Sequence, residues 1–518
     1  MKDMVKEQFI KTELMNSQSE ISGDYILPDS FPDVKNILSA NARIEKKNKY
    51  FGANDFEING CIVYSIMFSA MDENGEEKIF SVIFKDDFKN TTKYKNSNNC
   101  GVGALTRIKD ISCRMANPRK FSIKTIFENL VYEDTNYSAL PTIDSEVSDY
   151  QIEYKWNECD ILRCRSLELV EHSFSDNIEL DMKSPEIDEI VHYDIALTVK
   201  DDRSGDLREN TQKLGGVFTL NVLYKDIEGK YRTAKSDIPF GISFSEDELA
   251  LLGDFSDSQT TLLISPTLTA VNVNTSTNQY SEKKIIEFDA DYDIDLMIIF
   301  NETVSYVSDA YSTNYKSECR YEGQIMNKPV GRIKNNFTYT ETKSKSEEGL
   351  DALSIVASGI PAISEIRDES NAGYVNICGK ISQKCTFSGE ENKFKNKELV
   401  LPFTYKSSLK CQSDTMSLIG SSCAVNSRLR EDSDRVYAET EIYLDYISVG
   451  KHNATLCKAV KLDSMSDSGK NNVLFSIYYP EKDEECWEIA KSKKTTCEKL
   501  YQSNPDMANN MPKAIIIE

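Results

Sequence analysis

Thirteen cysteines and three histidines carry most of the reactive chemistry available to this 518-residue chain. The histidines are His172, His192 and His452. A structural zinc site needs four Cys or His ligands in a compact group, commonly at CxxC spacing. No CxxC occurs, and Cys159 with Cys164 is the nearest approach to one. In a reducing cytosol such cysteines read as small buried hydrophobes. In an oxidising compartment they are available for cross-links, and the odd total leaves at least one thiol free or paired between chains. There is no P-loop, no GxSxG and no HExxH. Gly101, Gly103, Gly215 and Gly216 read as turn glycines. Acidic groups such as Asp181, Glu186, Asp188 and Glu189 read as a solvated face. No histidine has a partner close in sequence that would make it a general base. The chain is therefore expected not to be an enzyme, and to need no cofactor or metal.

Charge narrows the partners. Lys and Arg total 61 against 84 Asp and Glu, a formal net charge of −23. Such a field repels nucleic acid and anionic lipid and favours basic protein surfaces. The opening residues, MKDMVKEQFIKTELMNS, lack the apolar stretch of a secretory signal. The longest apolar run, Leu296 to Phe300, is far too short to span a membrane. The expectation is a protein made in the cytosol.

The elements that must carry any site are strands. Ile285 to Phe300 alternates apolar and polar residues, as do Phe121 to Val131, Val217 to Tyr224 and Ala438 to Tyr446. A period of two marks half-buried strands. Glu73-Asn74-Gly75 and Glu228-Gly229 separate such runs as hairpin turns do. A repeat is visible. LPDSFPDVKNILSANARI (27–44), SPEIDEIVHYDIALTV (184–199) and SGIPAISEI (358–366) each lead with proline into a short apolar segment, and each precedes a hairpin. The spacing predicts a mainly β chain of antiparallel, sandwich-like modules over 1–145, 146–340 and 341–470. The polar stretch from Asn335 to Gly349 reads as a linker.

Residues 471–518 break the pattern. Val473 to Tyr479 reads as a strand and Glu484 to Lys491 as a short helix containing Trp487. Thr495-Thr496 caps a second helix over 497–502, Asn504-Pro505 ends it, and Ala514 to Ile517 is a closing strand. This predicts a small βααβ module. Trp487 either anchors its core or lies in a partner groove, where Trp and Tyr are favoured. Phe475, Ile477, Tyr479 and Lys494 would flank it, and these five residues form the candidate partner-binding set.

Two resemblances follow from these residues. Leu27, Pro28, Pro32, Asp33, Val34, Ile37 and Leu38, with the later ISCRMANPRKFSI, resemble the opening and closing strands of the SPOCS domain (DUF3794) of spore-forming bacteria. The second copy keeps Pro185, Ile187, Ile190 and Val191, and the third Pro361, Ile363 and Ile366. The terminal module resembles LysM through Trp487, Ile489, Ala490, Asn504, Pro505, Pro512, Ile515 and Ile517. It departs at Asp483 and Lys513, where LysM modules carry glycines that shape glycan-binding loops, and at Glu484 and Cys486. The combination is similar to a family of clostridial coat morphogenetic proteins. That resemblance implies a non-enzymatic adaptor made in the mother-cell cytoplasm and laid down in the spore coat around the forespore. Its LysM-like end would bind the ATPase of the coat basement layer, and the other modules further coat proteins. A self-assembling, disulfide-linked coat or exosporium lattice and a peptidoglycan or cortex-binding protein are the alternatives.

Overall fold

Alternation gives each strand one apolar and one wet face, and the strands pair so that the apolar faces meet. The structure, a computed structural model, describes residues 7–93, 101–145, 150–201, 213–244, 260–371, 374–389, 393–410, 417–463, 475–481, 484–508 and 512–517. Cys100, Cys411, Val473 and Asp483 lie outside the described residues.

The first unit holds six strands: β1 (Gln8–Ile26), β2 (Val34–Phe51), β3 (Asp55–Met71), β4 (Glu77–Lys93), β5 (Gly101–Asn117) and β6 (Lys120–Ser138). They form two antiparallel sheets, ordered β1-β6-β5 and β2-β3-β4. Phe56, Phe68, Phe121 and Phe127 fill the space between them. A short strand, β7 (Thr142–Asp144), follows.

The same wiring recurs twice. In the second unit β8 (Ile152–Glu179), β13 (Ile285–Ser312) and β12 (Thr261–Ser276) form one sheet. The meander β9 (Ile187–Lys200), β10 (Lys213–Asp226) and β11 (Tyr231–Ser243) forms the other. In the third, β14 (Ser317–Ser344), β20 (Arg435–Leu462) and β19 (Ser417–Glu431) make the first sheet, with β7 added in parallel beside β20. Its second sheet centres on β17 (Tyr374–Ser388), flanked by β18 (Phe394–Lys410) and by β15 (Ser354–Ser358) and β16 (Ala362–Asn371) end to end.

The first two lead-ins fall where the chain crosses from the first strand of a unit to its second sheet, while the third, 358–366, lies within the second sheet between β15 and β16. At each of the three crossings the backbone is held by the hairpin between the last two strands. Leu27 N donates to Arg119 O, Leu180 N to Lys284 O and Lys345 N to Asp434 O. In the first unit the Arg119 guanidinium also donates to the carbonyls of Leu27, Pro28 and Phe31. The Pro-rich lead-in and the Asn-Pro-Arg turn are thus two halves of one crossing.

Two sequence readings are corrected here. The third unit begins at Ser317, not at 341, because Asn335 to Ser344 belongs to β14. That strand turns a polar face to solvent, so its composition mimics a linker, while Phe337 and Tyr339 pack into the core of the third unit. The glycines lie in strands rather than turns. Gly103 is in β5, where a Cβ would run into the Tyr132 ring and sit 2.6 Å from Ser166 Oγ; Gly216 is in β10, under the Phe240 ring. Strand glycines of this kind admit a close neighbour. Gly103→Ala should therefore lower stability by about 1–3 kcal/mol through overpacking, read from the urea midpoint at unchanged m-value.

The units share buried residues. Leu105 and Tyr132 of the first, Leu162, Met297 and Ile299 of the second, and Ile447 and Val449 of the third form one cluster. Leu38, Met67, Ile79, Leu223, Ala357 and Phe394 form another, again drawn from all three.

Candidate interaction site

The terminal module builds its site from very little chain. β21 (Ser476–Tyr478) pairs antiparallel with β22 (Ile515–Ile517), setting Ile477 opposite Ile516 and Tyr478 opposite Ile515. Between them lie α1 (Cys486–Lys493) and α2 (Cys497–Ser503). Glu485 and Glu488 form a capping box at the start of α1, and Lys494 ends it in the left-handed region, at φ 53°. Thr496 Oγ1 caps α2 by accepting from Lys499 N at 3.1 Å. Asn504 ties α2 to β22: its amide donates to Leu500 O and Ile516 O, and its Oδ1 accepts from Ile516 N at 2.7 Å.

The core of this module is Ile489, Ala490, Leu500, Met507, Ile515 and Ile517, and it is completed by Tyr311 from β13 of the second unit. The Trp487 ring meets Tyr311 edge-on at 4.9 Å. Trp487 Nε1 donates to Asp309 Oδ2 at 2.8 Å, Lys491 Nζ reaches both oxygens of the same carboxylate, and Tyr321 donates to Oδ1. Tyr311 OH donates to Thr495 O at 2.7 Å, and Lys155 pairs with Glu485. Burial works against ionisation of Asp309, but the bonds from Lys491, Trp487 and Tyr321 outweigh it and hold the carboxyl below its ordinary range.

Of the five expected partner-binding residues, the structure sets three together and two apart. Phe475, Ile477 and Tyr479 fall on one face at alternate positions, 56%, 57% and 70% exposed, and Ile516 continues that face from the neighbouring strand. Trp487 is turned away from them into the seam with β13. Lys494 is the cap of α1. Sequence reasoning missed Ile516, although the alternation Ile515-Ile516-Ile517 beside a strand partner would have marked it, and it missed Asp309 and Tyr311, which no local pattern could reveal.

Other clusters serve the fold. Ser81 Oγ lies 2.8 Å from His192 Nδ1, and His192 Nε2 3.2 Å from Asp194 Oδ1. His192 is thus a buried strand residue with two partners, where sequence suggested none. A Ser-His-acid set does acyl chemistry only where a substrate carbonyl can reach the serine. The adjacent cavity, lined by Leu38, His192, Asp194, Asn221 and Lys384 among others, is about 20 Å³, space for a water molecule and no more. The set instead pins the units. Asn41 of β2 donates to Asp194 of β9, and Lys384 of β17 donates to Ala40 O at 3.0 Å. Burial raises the Asp194 pKa, but His192, Asn41 and Lys384 outweigh it, leaving the pKa below 3.8. The unfolded chain then binds the more protons in acid, so the stability that Asp194 adds is present at neutral pH and lost as pH falls through that region. In urea unfolding, the gap between wild type and Asp194→Asn should narrow from pH 7 to about pH 3, where an unfolded carboxylate is largely protonated.

Among the described residues no group of three or more His, Cys, Asp or Glu is placed to hold a metal, and no helix is long and apolar enough to cross a membrane. Comparison with protein-family profiles, with characterised proteins and with solved structures finds no match to this chain.

Proposed function

We propose that this chain is a non-enzymatic structural adaptor of the endospore coat. Its three β-units would form a rigid body contacting other coat proteins, and its terminal module would hold the basement-layer ATPase. The spore setting rests on the SPOCS-like lead-ins and the LysM-like residues. The observation that carries the adaptor reading is the strip of Phe475, Ile477, Tyr479 and Ile516, apolar, outward-facing and built on a module pinned to the second unit. Large apolar side chains clustered at the surface mark interaction sites. The acidic balance of the whole chain suits a partner with a basic rim.

Ile477→Glu and Ile516→Glu should each weaken co-purification with the ATPase by about tenfold to thirtyfold, the cost of losing a hot-spot contact of about 1.4–2 kcal/mol. Circular dichroism should be unchanged, since neither side chain is in the core. Undiminished binding by both variants removes the strip from the interface, and no binding by the wild type removes the ATPase as partner. Trp487→Glu tests something else, because it breaks the seam with β13.

A further inference from the structure

Two pairs of thiols bracket the stretch of β13 on which the terminal module sits. On one side, Cys319 of β14 and Cys457 of β20 lie diagonally across the strand pair, where a register shift sets Arg320 opposite Ala459 and Tyr321 opposite Cys457. Both belong to one apolar cluster with Val307 and Ala310 of β13. Cys457 holds the Cys319 thiol below its ordinary range, and Cys319 Sγ donates to Ala310 O at 2.8 Å. On the other side, Cys486 opens α1 and Cys497 opens α2, and both pack around Tyr311. Burial, and then the neighbouring Cys486, raise the Cys497 thiol above its ordinary range. All four are free thiols in this structure. Neighbouring Cys319 and Cys457 come from the two ends of the third unit. Cys486 and Cys497 stand at the first residues of the two helices of the terminal module.

We propose that Cys319–Cys457 and Cys486–Cys497 are intrachain redox pairs whose oxidation locks the third unit and the terminal module around residues 309–311. The co-reactant is a low-molecular-weight disulfide. Cys319, the more exposed of its pair, attacks as thiolate and forms a mixed disulfide, expelling one small thiolate. Cys457 then attacks the sulfur of Cys319 and expels the second. Two protein thiols are oxidised, one small disulfide is reduced to two thiols, and the two protons pass to the leaving thiolates. Cys486 and Cys497 react in the same way. The bonds constrain segments already adjacent when folded, so they act chiefly by restricting opening. The inference does not depend on the coat reading, since its chemistry is internal to the chain.

The test is oxidation of the full chain in glutathione buffers from fully reducing to fully oxidising, followed by alkylation and peptide mass spectrometry. The expected result is two cross-linked peptides, 319–457 and 486–497, on monomeric chain. After oxidation, proteolytic cleavage within 475–517 should slow at least tenfold, and reductant should restore it. Cys486→Ser should remove the second cross-link and the slowed cleavage while leaving the first cross-link; Cys319→Ser should remove only the first. Four fully alkylated cysteines under oxidising conditions, bonds joining one pair to the other, or bonds between chains would each overturn the proposal.

Discussion

Arg332→Ala is expected to lower stability by about 3–5 kcal/mol, the loss typical when one partner of a buried ion pair is removed. Arg332 on β14 binds Asp445 of β20 through Nε at 2.8 Å and Nη2 at 2.6 Å, and Nη2 also meets Asp201, just past β9, at 2.9 Å. Both carboxylate side chains are 1% exposed. Burial raises the Asp445 pKa, and Arg332 opposes that rise. Without the guanidinium, two acids are left in the interior, with Lys334 at 3.6 Å from Asp201. The fork also joins the second unit to the third, so the loss should appear as early separation of those units. Chemical denaturation of the variant, followed by tyrosine and tryptophan fluorescence, reads both effects. Arg332→Met with Asp445→Leu should recover part of the loss, since it removes one buried acid together with the cation and leaves Asp201 beside Lys334. Failure of that double variant to recover would assign the cost to shape rather than to charge.

Tyr311→Ala should have the second large effect, and it should be local. A buried aromatic truncated to alanine costs about 3–5 kcal/mol, while a folded chain holds only about 0.05–0.15 kcal/mol of stability per residue. A module of this size has little more than that to lose. Hydrogen exchange over residues 475–517 should rise to unfolded rates, with exchange in the three β-units unchanged. Tyr311→Phe should cost about 1 kcal/mol, the value of the single bond to Thr495 O. Equal exchange in wild type and Tyr311→Ala would mean that the module folds without its borrowed side chain.

The fold class was legible because alternation is a local property. Ile285 to Phe300, Phe121 to Val131 and Val217 to Tyr224 all lie within strands. The repeat was legible in its first two copies because their most distinctive residues sit at one kind of place, the crossing between sheets; the third copy lies between β15 and β16 within a sheet. Unit boundaries were not, because the first strand of each unit lies upstream of its lead-in and shares no motif. The helices of the terminal module were legible through Thr496 and Asn504, whose capping roles are written in the adjacent residues. Its attachment was not. Trp487 reaches Asp309 across 178 residues of sequence, and an aspartate in an alternating strand gives no sign that it will receive an indole and an ammonium.

The borrowed Tyr311 has a consequence for synthesis. It stands near the end of β13, and β13 has its pairing partner in β8 only once the whole second meander lies between them. Residues 475–517 emerge after it, and they find their missing core residue only on a chain whose second unit has already closed. The exposed strip is therefore displayed in its final form only by chains whose second unit has folded. A partner gripping it would sort chains with a folded second unit from misfolded ones without any separate proofreading step.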